Sequence, residues 1–363
     1  MLEGLGGVSK IPELQRRILF TLLLLAVYRI GVFIPTPGID NTALLAFFEH
    51  ARGSMMGLMD LFTGGALSSF SIFALGIMPY ITSSIILSLL TVAIPHLEKL
   101  SKEGESGRRK ITQYTRYGTV GLSIIQGFGI AWGLQQMASP TGAPIVLHAG
   151  WGFIIMTIIT LTSGTAFLMW LGETMTEKGI GNGISLIIFA GIVCRLPAGI
   201  SRTWSLYSSG EIHFLMVVIL GIFMVAVIGA IVYVEAAQRR IPVQYAKRIV
   251  GRKIYGGQST HLPLKINSSG VIPPIFASSV IMFPATIANF APAGLMKTIS
   301  GYLMPGRIGY EVLFVALIFF FCFFYTAVTI KPDDMADNMK KFGGYVPGIR
   351  PGKKTAEYIE EIL

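Results

Sequence analysis

The sequence predicts an all-α integral membrane protein, a polytopic bundle of helices. Three observations predict it. First, 52% of the 363 residues are hydrophobic and 13% are charged, with a mean hydropathy of +0.65, where a soluble domain carries roughly 25% charge. The 29 basic and 19 acidic side chains are too few to coat a body of 39.4 kDa, so most of the outer surface faces something other than water. Second, there are 42 glycines, well above the usual ~7% share, and glycine is frequent in membrane helices. Third, the apolar residues fall in long continuous runs without the alternation that a barrel wall needs.

The segment Met1 to Arg17 is amphipathic and polar, with no short apolar core followed by a cleavage site, so the first helix itself is expected to direct insertion. A spanning helix needs about 20 mostly apolar residues. Eight runs qualify, at 18–34, 69–94, 117–137, 151–171, 183–200, 214–234, 271–291 and 312–330. Three of them carry breakers. The second span holds Gly76 and Pro79, and the seventh holds Pro273, Pro274 and Pro284. The fifth begins in Gly179-Ile180-Gly181-Asn182-Gly183 and is shortened by Arg195 and Pro197. Any one of these reads as an ordinary kink. Three in one chain point to a central pathway, because broken helices are tolerated where protein or water satisfies the freed backbone groups.

Charge orients the bundle. All but Arg29, Arg52, Arg195, Arg202, Lys297 and Arg307 of the 29 lysines and arginines fall in 1–17, 95–116, 172–182, 235–270 and 331–363. By the positive-inside rule those segments, and both termini, are cytoplasmic.

Chemistry is absent from the pattern. No Walker A, HExxH, GxSxG or GxGxxG arrangement occurs. His50, His96, His148, His213 and His261 have no ligand spacing, and Cys194 and Cys322 suggest neither a disulfide framework nor a metal site. Asp40 and Asp60 lie in the first outer loop, and Asp333, Asp334 and Asp337 in the last segment, so no aspartate pair sits at membrane depth. An enzyme is not expected, nor a cofactor. A secondary transporter of a small solute is the main alternative, since such proteins also use broken helices, but they place ionisable residues at the midplane. Here Arg29 lies near an interface and Glu173, Glu235 and Glu311 at span ends. An uncharged pathway suits a constriction that gates by excluding water.

The runs Ser71-Ile72-Phe73-Ala74-Leu75-Gly76-Ile77-Met78-Pro79-Tyr80-Ile81-Thr82, Gly104-Glu105-Ser106-Gly107-Arg108-Arg109-Lys110 and Gln113-Tyr114-Thr115-Arg116-Tyr117-Gly118 are distinctive. So are Leu168-Met169-Trp170-Leu171-Gly172-Glu173, the glycine-rich run from Gly179 to Ser185, Gln258 to Lys265, and Val346-Pro347-Gly348-Ile349-Arg350-Pro351-Gly352. Together they closely resemble the SecY family of bacterial protein-translocation channels. The resemblance implies a ten-helix pseudo-symmetric channel fold, with residues 1–200 forming the N-terminal half and 201–363 an incomplete C-terminal half. The last two helices would fall beyond Leu363.

The function so implied is the central pore of the Sec channel, which passes unfolded polypeptides across the cytoplasmic membrane and releases transmembrane segments sideways into lipid. The family's pore ring maps onto Ile77, Ile81, Ile184, Ile188 and Ile275. Two pairs have i, i+4 spacing and so share a helix face. Composition alone favours lipid contact or helix packing for these isoleucines, and only the motif context points to a ring. The plug maps onto 54–67, with Met55, Met56, Leu58, Met59, Leu61 and Phe62. Read alone, that segment is a short apolar helix that would lie at the interface or fold back into the protein.

The lateral gate maps onto Ser83, Ser84 and Ser88 facing Ser278, Ser279 and Phe283, where small hydroxylated residues allow close helix approach; static packing is equally compatible. Arg248, Arg252, Lys253 and Arg350 are the implied docking positions for the ribosome or the SecA motor, although basic loops also set topology and attract anionic lipid. SecE and SecG subunits, signal sequences, nascent polypeptides and membrane lipid complete the implied partners, in the bacterial inner membrane.

Overall fold

The computed structural model describes residues 11–50, 57, 60, 63–136, 144–245, 248–250, 253–255, 259–270, 272–278, 280–281 and 307–363. The chain divides into two compact units, Met1–Arg202 with Ser278–Phe314 and Thr203–Ala277 with Val315–Leu363.

The first unit contains α1 (Pro12–Gly31), α2 (Asn41–His50), α3 (Met78–Ala93), α4 (Pro95–Lys102), α5 (Glu105–Gln136), α6 (Trp151–Lys178), α7 (Gly183–Val193) and the start of α8 (Leu196–Ser208). Pro12 opens α1, where its missing N–H has no intrahelical bond to lose. Thr21, Leu24, Tyr28 and Gly31, three or four residues apart, form its buried face. That face joins Phe73, Ile77, Leu168, Leu171, Met175 and Ile187 in one apolar cluster. A second cluster gathers Leu44 and Phe48 of α2 with Leu67, Phe70, Ile145, Phe153 and Leu161. Between helices surrounded by lipid such clusters cohere through close van der Waals packing more than through exclusion of water, which is why Leu161, Leu168, Leu171 and Met175 are completely enclosed.

The run expected as the second span is helical only from Met78 onward. Residues 63–77 are a succession of turns, with Gly64, Gly65, Phe70 and Gly76 at φ of 67°, 96°, 41° and 57°. Pro79 lies in the first turn of α3, and its ring and missing N–H exclude helix upstream. The backbone ahead of it is satisfied by protein. The N–H of Thr36 donates to the Phe70 carbonyl (2.9 Å), that of Ile72 to Ile34 (3.0 Å) and that of Ser71 to Ala66 (2.9 Å), meeting the condition for irregular chain at membrane depth. At the far end of α3 the chain bends by 101° into α4.

The short helix α2 was not expected from the pattern. Asp40 caps it, its Oδ1 accepting from the Thr42 N–H (2.9 Å), the Thr42 hydroxyl (2.6 Å) and the Ala43 N–H (3.4 Å). These bonds, the hydroxyl's foremost, hold the Asp40 carboxyl below its ordinary range. A depressed pKa means that the cap stabilises α2 above the unfolded value of about 3.9 and is lost as pH falls through the lower folded value. Asp40→Ala is expected to speed amide exchange across α2 about severalfold at neutral pH. The unaltered protein should loosen in the same residues only on acidification, as hydrogen-exchange mass spectrometry would reveal.

The second unit begins within α8. It contains α9 (Phe214–Ala236), which buries no side chain within the protein and is apolar on all sides, as a lipid-facing helix must be. The segment expected to be a loop at 235–270 is a correction. Strand β1 (Gln238–Tyr245) pairs antiparallel with β4 (Ser259–Lys265), Ile241 facing Leu262 and Gln244 facing Ser259. Between them β2 (Arg248–Val250) pairs with β3 (Lys253–Tyr255).

The helix α10 (Ile308–Thr329), which crosses the boundary between units, leads to α11 (Pro332–Lys341), β5 (Gly344–Tyr345) and α12 (Lys353–Ile362). Strand β5 adds to β1 at Gln244 and Tyr245, so the sheet order is β4-β1-β5. Buried Ile241 and Val243 alternate with exposed residues and meet Leu264, Met339, Val346 and Ile359 in a small core of their own. Pro242 is tolerated because β5 reaches β1 only at Gln244 and Tyr245, and Pro263 because β4 is an edge strand. These two prolines and the charged start of β1 hid the strands from pattern reading.

Among the described residues four stretches are long and apolar enough to cross a membrane: Trp151–Lys178, Gly183–Ser208, Phe214–Ala236 and Ile308–Lys341; α3 and α4 taken together would make a fifth. The expected first and third spans are helical as α1 and α5, but charge extends both helices beyond their apolar stretch. Helix α1 carries Glu13 and Arg29 in its end turns, and α5 starts among Glu105, Arg108 and Arg109. The expected seventh span lies mostly outside the described residues; 272–278 are helical.

Candidate channel site

The two elements that carry four of the expected ring residues are both helix starts held by local chemistry. Ile77 is the residue that caps α3, and its carbonyl accepts from the Ile81 N–H (3.1 Å), so the two stack across the first turn. At α7, Gly181 turns the chain at φ 65°. Asn182 then caps the helix, its Oδ1 accepting from the N–H groups of Ile184 (3.0 Å) and Ser185 (3.2 Å). Gly183 sits so close to the Gly172 carbonyl of α6 that no side chain would fit. The Gly183 N–H donates to the Thr176 hydroxyl (2.9 Å) and the Ile180 N–H to the Thr21 hydroxyl of α1 (3.2 Å). The glycine-rich motif thereby fixes where α7 begins relative to α6 and α1.

These starts bring Ile77, Ile81, Ile184 and Ile188 into one apolar cluster, Ile77 buried and the other three half-buried against it. Ile184 also rests on Gly172, where an added Cβ would lie 2.9 Å from its Cγ1. Ile275 lies in the second unit, half-buried on the helical stretch that starts at 272.

The plug residues Met55, Met56, Leu58, Met59, Leu61 and Phe62 lie outside the described residues, as do Ser279, Phe283 and Arg252. Of the gate candidates, Ser83 is buried and its hydroxyl donates to the Thr115 carbonyl of α5 (2.9 Å), a bond within helix packing. Ser88 is exposed and bonds the Ser84 carbonyl (2.8 Å), and Ser278 is half-buried. Arg248 and Lys253 lie on the paired strands β2 and β3. Arg350 is exposed in the turn before α12, its carbonyl accepting from the Thr355 hydroxyl (2.9 Å), beside Lys354, Glu357 and Tyr358 in a shallow groove.

Two charged contacts were not foreseen as pairs. Arg116 of α5 grips Glu173 of α6 through two bonds (3.1 and 2.7 Å), which explains why each of the two motifs carries a charge. Arg195, just past α7, pairs with buried Asp60. The available signal for the second was a lone charge inside an apolar run.

Membrane-spanning helices with apolar residues gathered at helix breaks define a channel-type architecture. The SecY family model matches residues 71–363. The protein translocase subunit SecY of Escherichia coli strain K12 is 54% identical over 362 residues, covering 99% of this chain and 81% of that one. A solved structure described as a protein-conducting channel superposes with a TM-score of 0.66 at 18% identity, covering 96% of this chain and 82% of that one. Sec61 in the canine ribosome–channel complex from the endoplasmic reticulum superposes with a TM-score of 0.59 at 17% identity, over 96% and 81%. The chain belongs to the SecY family. These matches support the channel reading and not the small-solute transporter.

Proposed function

We propose that this chain is the pore-forming subunit of a protein-translocation channel, passing unfolded polypeptides across the bacterial cytoplasmic membrane and releasing apolar segments sideways into lipid. The observation that carries this is the meeting of Ile77, Ile81, Ile184 and Ile188 in one apolar cluster at two helix starts that follow breaks in the chain. Branched, uncharged side chains form a collar that excludes water and ions when empty, yet offers no fixed charge to trap a passing polymer of mixed sequence. Ile275 is the fifth ring position that the family resemblance implies.

In this reading 54–67 is the plug that fills the outer mouth. Ser84 and Ser88, with Ser278, Ser279 and Phe283, line the seam that opens sideways, and Ser83 anchors α3 to α5 behind it. Arg248, Arg252, Lys253 and Arg350 offer cytoplasmic positive charge to the ribosome or the SecA motor; the likeness of the fold to a channel solved with its ribosome supports a ribosome as partner in general. SecE and SecG are the companion subunits, and both termini are cytoplasmic by the distribution of lysine and arginine.

Reconstitution into proteoliposomes with the companion subunits and motor tests this. A signal-bearing unfolded precursor is expected to reach a protease-protected lumen. Uptake of small solutes without polypeptide transport would overturn the reading.

A further inference from the structure

Asp60 and Arg195 have no part in the collar, yet they are the one ion pair among the described residues that involves a buried carboxylate. The Asp60 side chain is 7% exposed and that of Arg195 35%. Asp60 uses both carboxylate oxygens. Oδ2 accepts from the Arg195 guanidinium, and Oδ1 from the Ser68 N–H (2.7 Å). Its carbonyl accepts from the Gly65 N–H (3.0 Å) and the Thr63 hydroxyl (3.2 Å).

The same short segment is held from α1. The Tyr28 hydroxyl donates to the Thr63 carbonyl (3.1 Å) and the Arg29 guanidinium to the Gly64 carbonyl (2.8 Å). Gly64 lies on the backbone of Gly191, near the end of α7, where a Cβ would come within 2.8 Å of the Gly191 Cα. Ala66, fully enclosed, then enters the cluster that contains Ile77 and Ile187.

We propose that Asp60 and Arg195 form a charge clasp that locks the 63–66 turn onto the end of α7 and α1, and so holds the collar in its resting arrangement. The physics makes it two-state. While the turn is seated, a carboxylate out of water needs its cation, and losing either charge leaves the other uncompensated. Once the turn leaves, both groups regain water. The clasp acts on the channel function proposed above, although its seating can be measured without transport.

The test uses the complete membrane complex. Asp60→Asn keeps an acceptor for Ser68 and removes the charge, and Arg195→Gln removes the cation. Each is expected to speed amide exchange at 63–68 in the idle protein by on the order of tenfold, equivalent to about 1.4 kcal/mol, and to raise resting ion conductance in parallel. Coupled charges predict that the double variant is no worse than the more severe single one. Unchanged exchange at 63–68 in the single variants overturns the clasp, as does a double variant whose effect is the sum of the two. If exchange quickens but the unaltered complex moves no polypeptide, the clasp stands and the channel reading falls. Normal transport with unchanged exchange gives the reverse. Should Asp60→Asn fail to fold, Arg195→Gln, at the more exposed partner, decides alone.

Discussion

Gly164→Val is expected to destabilise the protein by about 3 kcal/mol, the upper end of the range for overpacking a core. A Cβ at this position would run into the Ile72 carbonyl group and approach Phe73 Cδ1 to 3.3 Å. The obstacle is backbone, and that backbone cannot yield, because the Ile72 N–H is bonded to the Ile34 carbonyl (3.0 Å) and Phe73 fills the space beside Gly31. Pushing Ile72 away would dislodge the turns that deliver Ile77 to the start of α3. The measurement is the thermal aggregation midpoint of the detergent-solubilised protein, with Gly152→Val of the same helix as the control. Gly152 has open space around its Cβ direction, and its variant should match the unaltered protein. Equal losses in both would mean that valine disturbs α6 itself rather than its seat against residue 72.

Resting ion conductance of the reconstituted channel is expected to rise on the order of tenfold when Ile81 or Ile188 is replaced by asparagine, a change of about 1.4 kcal/mol in the cost of wetting the constriction. Both side chains are half-buried on the one cluster formed by the starts of α3 and α7, and an amide there offers water two donors and an acceptor. Ile81→Val and Ile188→Val keep the surface apolar and should leave the seal intact. Conductance in planar bilayers that is the same for all four variants and the unaltered chain would remove these residues from the collar.

Residue patterning was enough for the helical membrane class. The runs later found as α6, α9 and α10 are apolar enough, long enough and uninterrupted enough that no partner is needed to make them helices. The breakers were legible too. Gly76 and Pro79 announced that the second span would not be regular, but not that its first half would be turns, since that outcome depends on the Ile34 and Ala66 carbonyls, which accept the Ile72 and Ser71 N–H groups. The glycine run at 179–183 signalled a special connection, while the reason for Gly183 is the carbonyl of Gly172, eleven residues away in sequence and on another helix. The strands β1 and β4 were missed because their apolar residues find a core only with α11 and α12, where Ile241 and Leu264 join Met339 and Ile359, far along the chain.

The sequence by itself determined the solvent, the secondary-structure class of the spans, the sign and placement of charge and the family, because hydropathy, helix length and motif order are local properties of the chain. Only the tertiary structure decided which isoleucines gather, that Ser83 is committed to α5, and that Asp60 meets Arg195 across 135 positions. A side chain's role in a membrane bundle depends on what approaches it from another helix. One apolar face looks the same in sequence whether it meets lipid, a neighbouring helix or a closed constriction, and a buried charge persists only because a distant partner answers it.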